Sequence, residues 1–281
     1  MVRYFAARAI AGVESVVDDT YQRTIEVDGE AGALELSPGD GHHVALRVRL
    51  PGASSVDRVV ARGRQVFNLD ADMSGAIDHL LGDPAIGPLV RMRPGIRVPG
   101  VWDPFEIGVR AIAGQQVTVA GANTLIARLV GRHGVPVAGF AEGALTHLFP
   151  PADTLADADL AGLGFVPTRA QAIRTFARAV VDGDIRLDRS VALDDLVASI
   201  TAQPGLGPWT AQYIALRIGE PDAFPASDLG LRRAMDPDDP LSTKALTDVA
   251  ESWRPWRALA AAHLWMAPAA TAAPGRHPVS P

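Results

Sequence analysis

Residues 203–228, QPGLGPWTAQYIALRIGEPDAFPASD, constrain the fold of this chain more than any other stretch. Gly205-Leu206-Gly207 makes a tight turn that opens a helix at Pro208. The segment ahead of it, Leu193-Asp194-Asp195-Leu196-Val197-Ala198-Ser199-Ile200, is apolar at helical spacing, so the pattern is helix, glycine hairpin, helix. Glycine suits the turn because it enters positive φ without a Cβ penalty and lets the backbone approach a ligand closely. Pro208 suits the first helical position, where a missing N–H costs nothing. The free amides of Gly207, Trp209 and Thr210 then face outward from the positive end of a helix, which makes a seat for a phosphate; an ordinary interhelix turn is the alternative. Asp228 follows Gly207 by 21 positions (228 − 207), behind Phe224-Pro225 and ahead of Leu229, Leu231 and Met235, where its carboxylate is placed to cap the next helix.

The rest of the chain divides by pattern. Up to about residue 90 it reads as α+β. Tyr21, Arg23, Ile25 and Val27 alternate with Gln22, Thr24 and Glu26, and Val44, Leu46, Val48 and Leu50 alternate with Ala45, Arg47 and Arg49. Gly29, Gly32, Pro38-Gly39-Asp40-Gly41 and Pro51-Gly52 supply turns, and Asp57–Phe67 and Ala76–Leu81 read as helices. The expected N-terminal domain, 1–93, is a small antiparallel sheet with helices on one face. Adjacent strand residues point to opposite faces, so His42-His43 reads as a surface pair and not as a metal site. The breaker-rich 94–100 marks a boundary. Asp103-Pro104-Phe105-Glu106 then opens a helix with a capping acid, a first-position proline and a glutamate three residues after the cap. Helices are expected over 104–113, 118–130, 141–148, 156–163, 168–181 (with Thr168 and Gln171 as a capping box), 193–200, 208–218, 229–235, 243–253 and 255–266. The helical region is thus 94–266, and 267–281, lacking apolar periodicity, is expected to be a disordered tail.

Composition matters at three points. The absence of cysteine excludes disulfides, thiolate nucleophiles, Cys-ligated zinc and iron–sulfur clusters. A net charge of −6 argues against coating DNA non-specifically, without excluding a local basic face. Lys244 is the sole lysine, so amine nucleophiles are nearly absent. The opening MVRYFAARAIAGVESVVDD interrupts its apolar run with Arg3, Arg8 and Glu14, unlike a secretory signal, and no apolar stretch reaches the ~20 residues a bilayer span needs. The expectation is a soluble cytoplasmic protein, nucleoid-associated if it works on DNA.

The run PGxGxWTAxYxxLR over 204–217, followed by a loop ending in Asp228, resembles the helix-hairpin-helix DNA glycosylases with a Gly/Pro-rich loop and a catalytic Asp. Within them it is most similar to the bacterial 3-methyladenine DNA glycosylase II (AlkA) type. The likeness extends from Phe5-Ala6-Ala7-Arg8-Ala9 through Gly108-Val109-Arg110-Ala111-Ile112-Ala113-Gly114-Gln115 to Trp253-Arg254-Pro255-Trp256-Arg257 and His263-Leu264-Trp265. It implies a fold of class α+β, an N-terminal antiparallel sheet domain followed by an all-α helix-hairpin-helix glycosylase core of two helical subdomains with the active-site cleft between them. It also implies a monofunctional hydrolase that removes alkylated bases from double-stranded DNA in base excision repair, acting as a monomer.

An enzyme that attacks a base in duplex DNA must extrude the nucleotide, so it needs a phosphate grip, a gap filler, an aromatic pocket and a group for the sugar carbon. The grip is the hairpin: Gly205, Gly207 and Thr210. The resemblance adds a monovalent cation on backbone carbonyls of Thr201, Gln203 and Leu206; no other cofactor is required. The gap filler belongs to the loop holding Gln115 and Gln116. Gln116 stands where a relative carries an apolar residue, and it reads equally as a wedge or a helix terminus. Trp102, Trp209, Tyr213, Trp253, Trp256 and Trp265 are candidates for a pocket that attracts cationic purines by ~0.5–2 kcal/mol, or for the core. The resemblance favours Trp265 as floor, with Trp209 and Tyr213 as walls. Asp228 is the candidate catalytic residue, since a carboxylate stabilises oxocarbenium character at the sugar; a helix cap alone is its other reading. Lyase relatives carry a lysine two residues after the second glycine, and this chain has Trp209 there. The alternative to an enzyme is a non-catalytic binder of distorted DNA, for which a carboxylate facing the groove has no use.

Overall fold

The computed structural model describes residues 1–41, 43–52, 55–137 and 144–267. After helix α1 (Val2–Ala6) come strands β1 (Glu14–Val17), β2 (Thr20–Val27), β3 (Glu30–Pro38) and β4 (Val44–Arg49), an antiparallel meander in the order β1-β2-β3-β4. Its first two hairpins close on two-residue turns, Asp18-Asp19 and Asp28-Gly29, with all four residues at positive φ, the conformation whose twist matches that of the flanking strands. Gly32, expected in a turn, lies inside β3 opposite Ile25. The alternation of β2 puts Tyr21, Ile25 and Val27 inward with Leu34 and Leu36 of β3. They pack against Phe5, against Val59 and Val66 of α2 (Val56–Val66), and against Phe67 and Trp102.

The helical region contains α3 (Met73–Leu81), α4 (Gly87–Met92), α5 (Pro104–Ala113) and α6 (Val119–His133), a two-residue ladder pairing Val135–Pro136 with His147–Leu148, and α7 (Ala152–Ala156). Then follow α8 (Pro167–Val181), α9 (Leu193–Thr201), α10 (Pro208–Arg217), α11 (Leu229–Met235), α12 (Thr243–Ala250), a 3-10 turn at Glu251–Trp253 and α13 (Arg257–Trp265). The architecture is the α+β one expected: sheet domain first, helical core after. Helix α5 is central, packed on α8 and α10. Gly108 makes the α5–α8 crossing possible, because a Cβ there would sit 2.2 Å from the Phe176 ring. No helix among the described residues is long and apolar enough to cross a membrane.

Four local expectations fail for identifiable reasons. The helix over 141–148 is absent where described: Leu145 bridges Gly12 and His147–Leu148 is strand, while residues 141–143 lie outside the described ones. The helix over 156–163 is replaced by the shorter α7 upstream, and glycines at positive φ, Gly162 and Gly164, keep the segment after it non-helical. Val166, not Thr168, caps α8, without a side-chain bond because valine carries no acceptor, and Pro167 takes the first helical position. Asp103 caps α5 through the Phe105 amide, but Glu106 does not reach back to complete a capping box. From residue 268 onward the expected tail lies outside the described residues, as does His42.

Glu106 instead joins a buried ionic cluster between the two parts. Arg23 Nη2 of β2 is 2.7 Å from one Glu106 oxygen, and Arg110 Nη1 is 2.7 Å from the other. Arg110 Nη2 lies 2.9 Å from Glu14, which also accepts from the Tyr21 hydroxyl at 2.6 Å. Burial alone would raise the Glu14 pKa, but the Arg110 and Arg23 guanidinia outweigh it and hold the carboxyl below its usual range. Packing divides the chain elsewhere than at residues 93 and 94. Ala76, Leu80, Ile86 and Val90 of the α3–α4 segment belong to the helical core, while Trp102 belongs to the core of the sheet.

Candidate active-site cleft

The hairpin forms as its glycines require. Gly205 has φ +85°, and a Cβ there would touch Ala172 of α8 at 3.0 Å. Gly207 caps α10 with no side-chain bond, Pro208 takes the first position, and the first-turn amides of Trp209 and Thr210 have no intrahelical acceptor. One turn further into α10, Tyr213 stacks on Trp209 with ring centroids 5.2 Å apart and planes at 6°. Trp265, at the end of α13, meets Tyr213 edge-on at 6.2 Å and 73°. Contact between α11 and α13 brings Asp228 to these rings.

Asp228 caps α11, its Oδ1 accepting from the Leu231 amide at 3.0 Å. The same oxygen accepts from Trp265 Nε1 at 3.1 Å, and Oδ2 accepts from Trp209 Nε1 at 2.9 Å. Three donors from three elements therefore fix both carboxylate oxygens. The two indoles present their N–H edges to Asp228, and Tyr213 covers one face of Trp209. A cap needs one backbone donor; a carboxylate gripped by two indoles as well is built as a site. The group lines a cleft of about 1190 Å³ with Trp209, Tyr213 and Trp265, together with six arginines (Arg3, Arg8, Arg93, Arg97, Arg110 and Arg217) against two acids, Asp19 and Asp228. Arg110 is neutralised by Glu14 and Glu106, so in a chain of net charge −6 the positive excess of this cleft rests on the other five arginines.

The family model for the AlkA N-terminal domain matches residues 1–103, and that for HhH-GPD superfamily base excision DNA repair proteins matches residues 109–257, more than half of the chain. The chain belongs to the HhH-GPD superfamily. A curated relative in Escherichia coli K12, DNA-3-methyladenine glycosylase 2, is 32% identical over 94% of this chain and 92% of its own length. The probable bifunctional transcriptional activator/DNA repair enzyme AlkA of Mycobacterium tuberculosis is 39% identical over 93% of this chain, but the chain spans only 53% of that relative's length. A 3-methyladenine DNA glycosylase structure from Archaeoglobus fulgidus shares the fold, with a TM-score of 0.81 at 21% identity, covering 94% of this chain and 92% of that one.

Within this HhH-GPD fold the residues singled out from sequence separate into groups. Asp228, Trp209, Tyr213 and Trp265 converge on one cleft, whereas Trp253 is fully buried in the helical core and Trp102 is buried between the Arg23 and Arg62 guanidinia. Gln116 is exposed at the tip of the loop between α5 and α6, at φ +56°, flanked by exposed Val117 and Val119. Gln115 turns inward: its Nε2 donates to the Thr210 hydroxyl at 3.1 Å and to the Gly205 carbonyl at 3.4 Å, tying that loop to the hairpin. Thr210 is therefore buried, with its hydroxyl occupied by Gln115. Of the carbonyls proposed for a cation, that of Gln203 accepts from the Leu206 amide at 3.1 Å, closing the turn. A carbonyl has a second lone pair, and a set of neutral oxygens suits a monovalent ion better than a divalent one.

Two cleft residues escaped the sequence reading. Arg217 is buried on α10 one turn after Tyr213, and it hydrogen-bonds both Tyr213 and Tyr4, a residue from the far end of the chain. The available signal was an arginine on the core-facing side of an otherwise apolar helix.

Proposed function

We propose that this chain is a monofunctional DNA glycosylase that hydrolyses the N-glycosidic bond of alkylated bases, such as 3-methyladenine and 7-methylguanine, in double-stranded DNA. The observation that carries the reading is the Asp228 carboxylate, held by both indole N–H groups at the mouth of an arginine-lined cleft. The names of the E. coli and A. fulgidus relatives support the same class of substrate.

In the reaction, the C1′–N bond breaks with its electron pair leaving on the base, and a water oxygen bonds to C1′ while one of its protons passes to solvent. Positive charge builds on the sugar, and Asp228 supplies the opposing charge or orients the water. A cationic base departs as a neutral molecule, so no strong acid is needed. The faces of Trp265, Trp209 and Tyr213 attract a cationic purine more than a neutral one. The hairpin amides of Gly207, Trp209 and Thr210 grip a phosphate beside the lesion. A monovalent cation on the carbonyls of Thr201, Gln203 and Leu206 would add positive charge there. Gln116, exposed at a loop tip, fills the gap left in the duplex. Gln115 acts at second hand by joining that loop to the hairpin.

Lyase chemistry is disfavoured. A lysine would be needed beside the sugar to form a Schiff base, but Trp209 holds that place and donates to Asp228. Lys244 is exposed and paired with Asp248 at 2.6 Å. We place the protein in the cytoplasm, acting as a monomer on nucleoid DNA. The test is incubation with alkylated duplex DNA and chromatography of released bases. Release of 3-methyladenine without strand cleavage is the expected result; tight binding with no base released would leave only a DNA-binding module.

A further inference from the structure

The N-terminal helix reaches the base pocket through one arginine. Arg217 Nη1 donates to the Tyr4 hydroxyl at 2.6 Å and to the Tyr213 hydroxyl at 2.9 Å, while Nε and Nη2 donate to the carbonyls of Pro99 and Gly100 at 2.7 and 2.9 Å. All four acceptors are neutral oxygens, and among the described residues no carboxylate pairs with Arg217. A second guanidinium, Arg8, sits over the Tyr4 ring at 4.0 Å. Guanidinium accepts nothing, so it occupies lone pairs on both phenols and leaves the two phenol protons to be placed.

The two hydroxyls lie 3.5 Å apart, so one can donate to the other. Burial pushes Tyr4 well above its ordinary pKa despite Arg217. Burial would raise Tyr213 too, but Arg217 and the Tyr4 hydroxyl outweigh it and hold that phenol below its ordinary value. At 3.5 Å, beyond the usual ~2.5–3.0 Å of an O–H···O bond, this contact commits neither phenol proton firmly. With Arg217 on its oxygen and, among the described residues, no acceptor at full hydrogen-bond distance beyond Tyr4, Tyr213 has its own proton available to the cleft that it lines.

We infer that the Tyr213 hydroxyl is a hydrogen-bond donor to the extruded base, and that Tyr4 and Arg217 are positioning residues that aim its proton. The inference rests on the glycosylase reading above. It assigns the N-terminal domain a share in base selection. A leaving base that starts neutral gains the bond's electron pair and becomes anionic, so a donor on its heteroatoms strengthens as the bond breaks. A cationic base becomes neutral and gains less. Tyr213 gives up no proton in this role; it shares one.

The test uses the full chain and single-turnover excision from duplexes containing either hypoxanthine, a neutral purine, or cationic 7-methylguanine. Tyr213→Phe keeps the stacked ring and removes the donor. Hypoxanthine release should fall about ten-fold more than 7-methylguanine release, the worth of one buried hydrogen bond. Tyr4→Phe should shift the ratio the same way by a smaller factor, with the thermal midpoint and abasic-DNA affinity retained. Equal losses on both substrates, which leave the ratio unchanged, would reduce Tyr213 to a packing ring and overturn the inference. Wild-type release of 7-methylguanine without hypoxanthine would overturn it too, leaving the glycosylase reading intact. Wild-type release of neither base would overturn both.

Discussion

Replacing Asp228 by asparagine separates its two jobs. Asparagine is as good a helix cap as aspartate, so the bond from the Leu231 amide survives and α11 keeps its start. The amide must choose an orientation: two donors, Leu231 N and Trp265 Nε1, face one oxygen, and one, Trp209 Nε1, faces the other. The amide oxygen takes the side with two donors, which points its NH2 at the Trp209 N–H across a 2.9 Å gap. One charge-assisted bond is lost and a donor–donor contact appears, at a cost of about 2 kcal/mol, or roughly 4–8 °C in thermal midpoint for a chain of this size. The catalytic loss is larger. A unit charge at about 4 Å from a developing cation contributes about 4 kcal/mol at an effective dielectric of ~20. Each 1.36 kcal/mol is a factor of ten, so excision of 7-methylguanine should drop about a thousand-fold. Single-turnover excision, with calorimetry and abasic-DNA binding as controls, reads both effects. A variant that folds, binds abasic DNA and excises within ten-fold of wild type would refute the electrostatic role of Asp228.

Other outcomes follow from the same geometry. Trp265→Ala should impair cationic 7-methylguanine more than neutral hypoxanthine by roughly five- to thirty-fold, from a cation–π term of ~1–2 kcal/mol; equal loss on the two duplexes in parallel assays would contradict it. Borohydride should trap no covalent adduct between the wild-type protein and abasic DNA, and a trapped species on denaturing gels would contradict the absence of a Schiff base. Arg23→Met strips the buried Glu106 of one partner and should cost about 3–5 kcal/mol in denaturant unfolding. His263 is buried, and burial lowers its pKa from 6.5 to about 4 against a backbone contact with Leu89 that raises it. Because the folded pKa lies below the unfolded one, the unfolded state binds the proton first, and stability falls as pH drops from about 6.5 toward 4, by up to about 3 kcal/mol. His263→Leu should flatten that part of the stability–pH curve, and an unaltered slope would contradict the assignment.

The hairpin, the caps at Asp103 and Asp228 and the boundaries of α5 and α11 were readable because each depends on residues within one turn of it. The convergence of Trp209, Tyr213 and Trp265 on Asp228 came from the resemblance; periodicity alone left all six aromatics equal, and Trp102 and Trp253 sit in the cores. Glu106 was misread because its spacing from Asp103 fits a capping box, and only the partner strand reveals that Arg23 competes for it. Thr168 failed in the same way, its capping role already filled by Val166 and Pro167. The contact of Tyr4 with Arg217 joins residues 213 positions apart, beyond the reach of any local pattern. The direction of Gln115 depends on where the hairpin docks, which no single helix specifies.

The cluster of Glu14, Arg23, Glu106 and Arg110 bears on how chimeras of this protein would behave. A foreign N-terminal sheet joined ahead of Pro104 would have to bring both a base for Glu106 and an acid for Arg110 at matching depth. A graft lacking either would strand a lone charge in the seam. Exchange between homologues should therefore succeed as matched quartets and fail as mixed ones, however similar the exchanged halves look in outline.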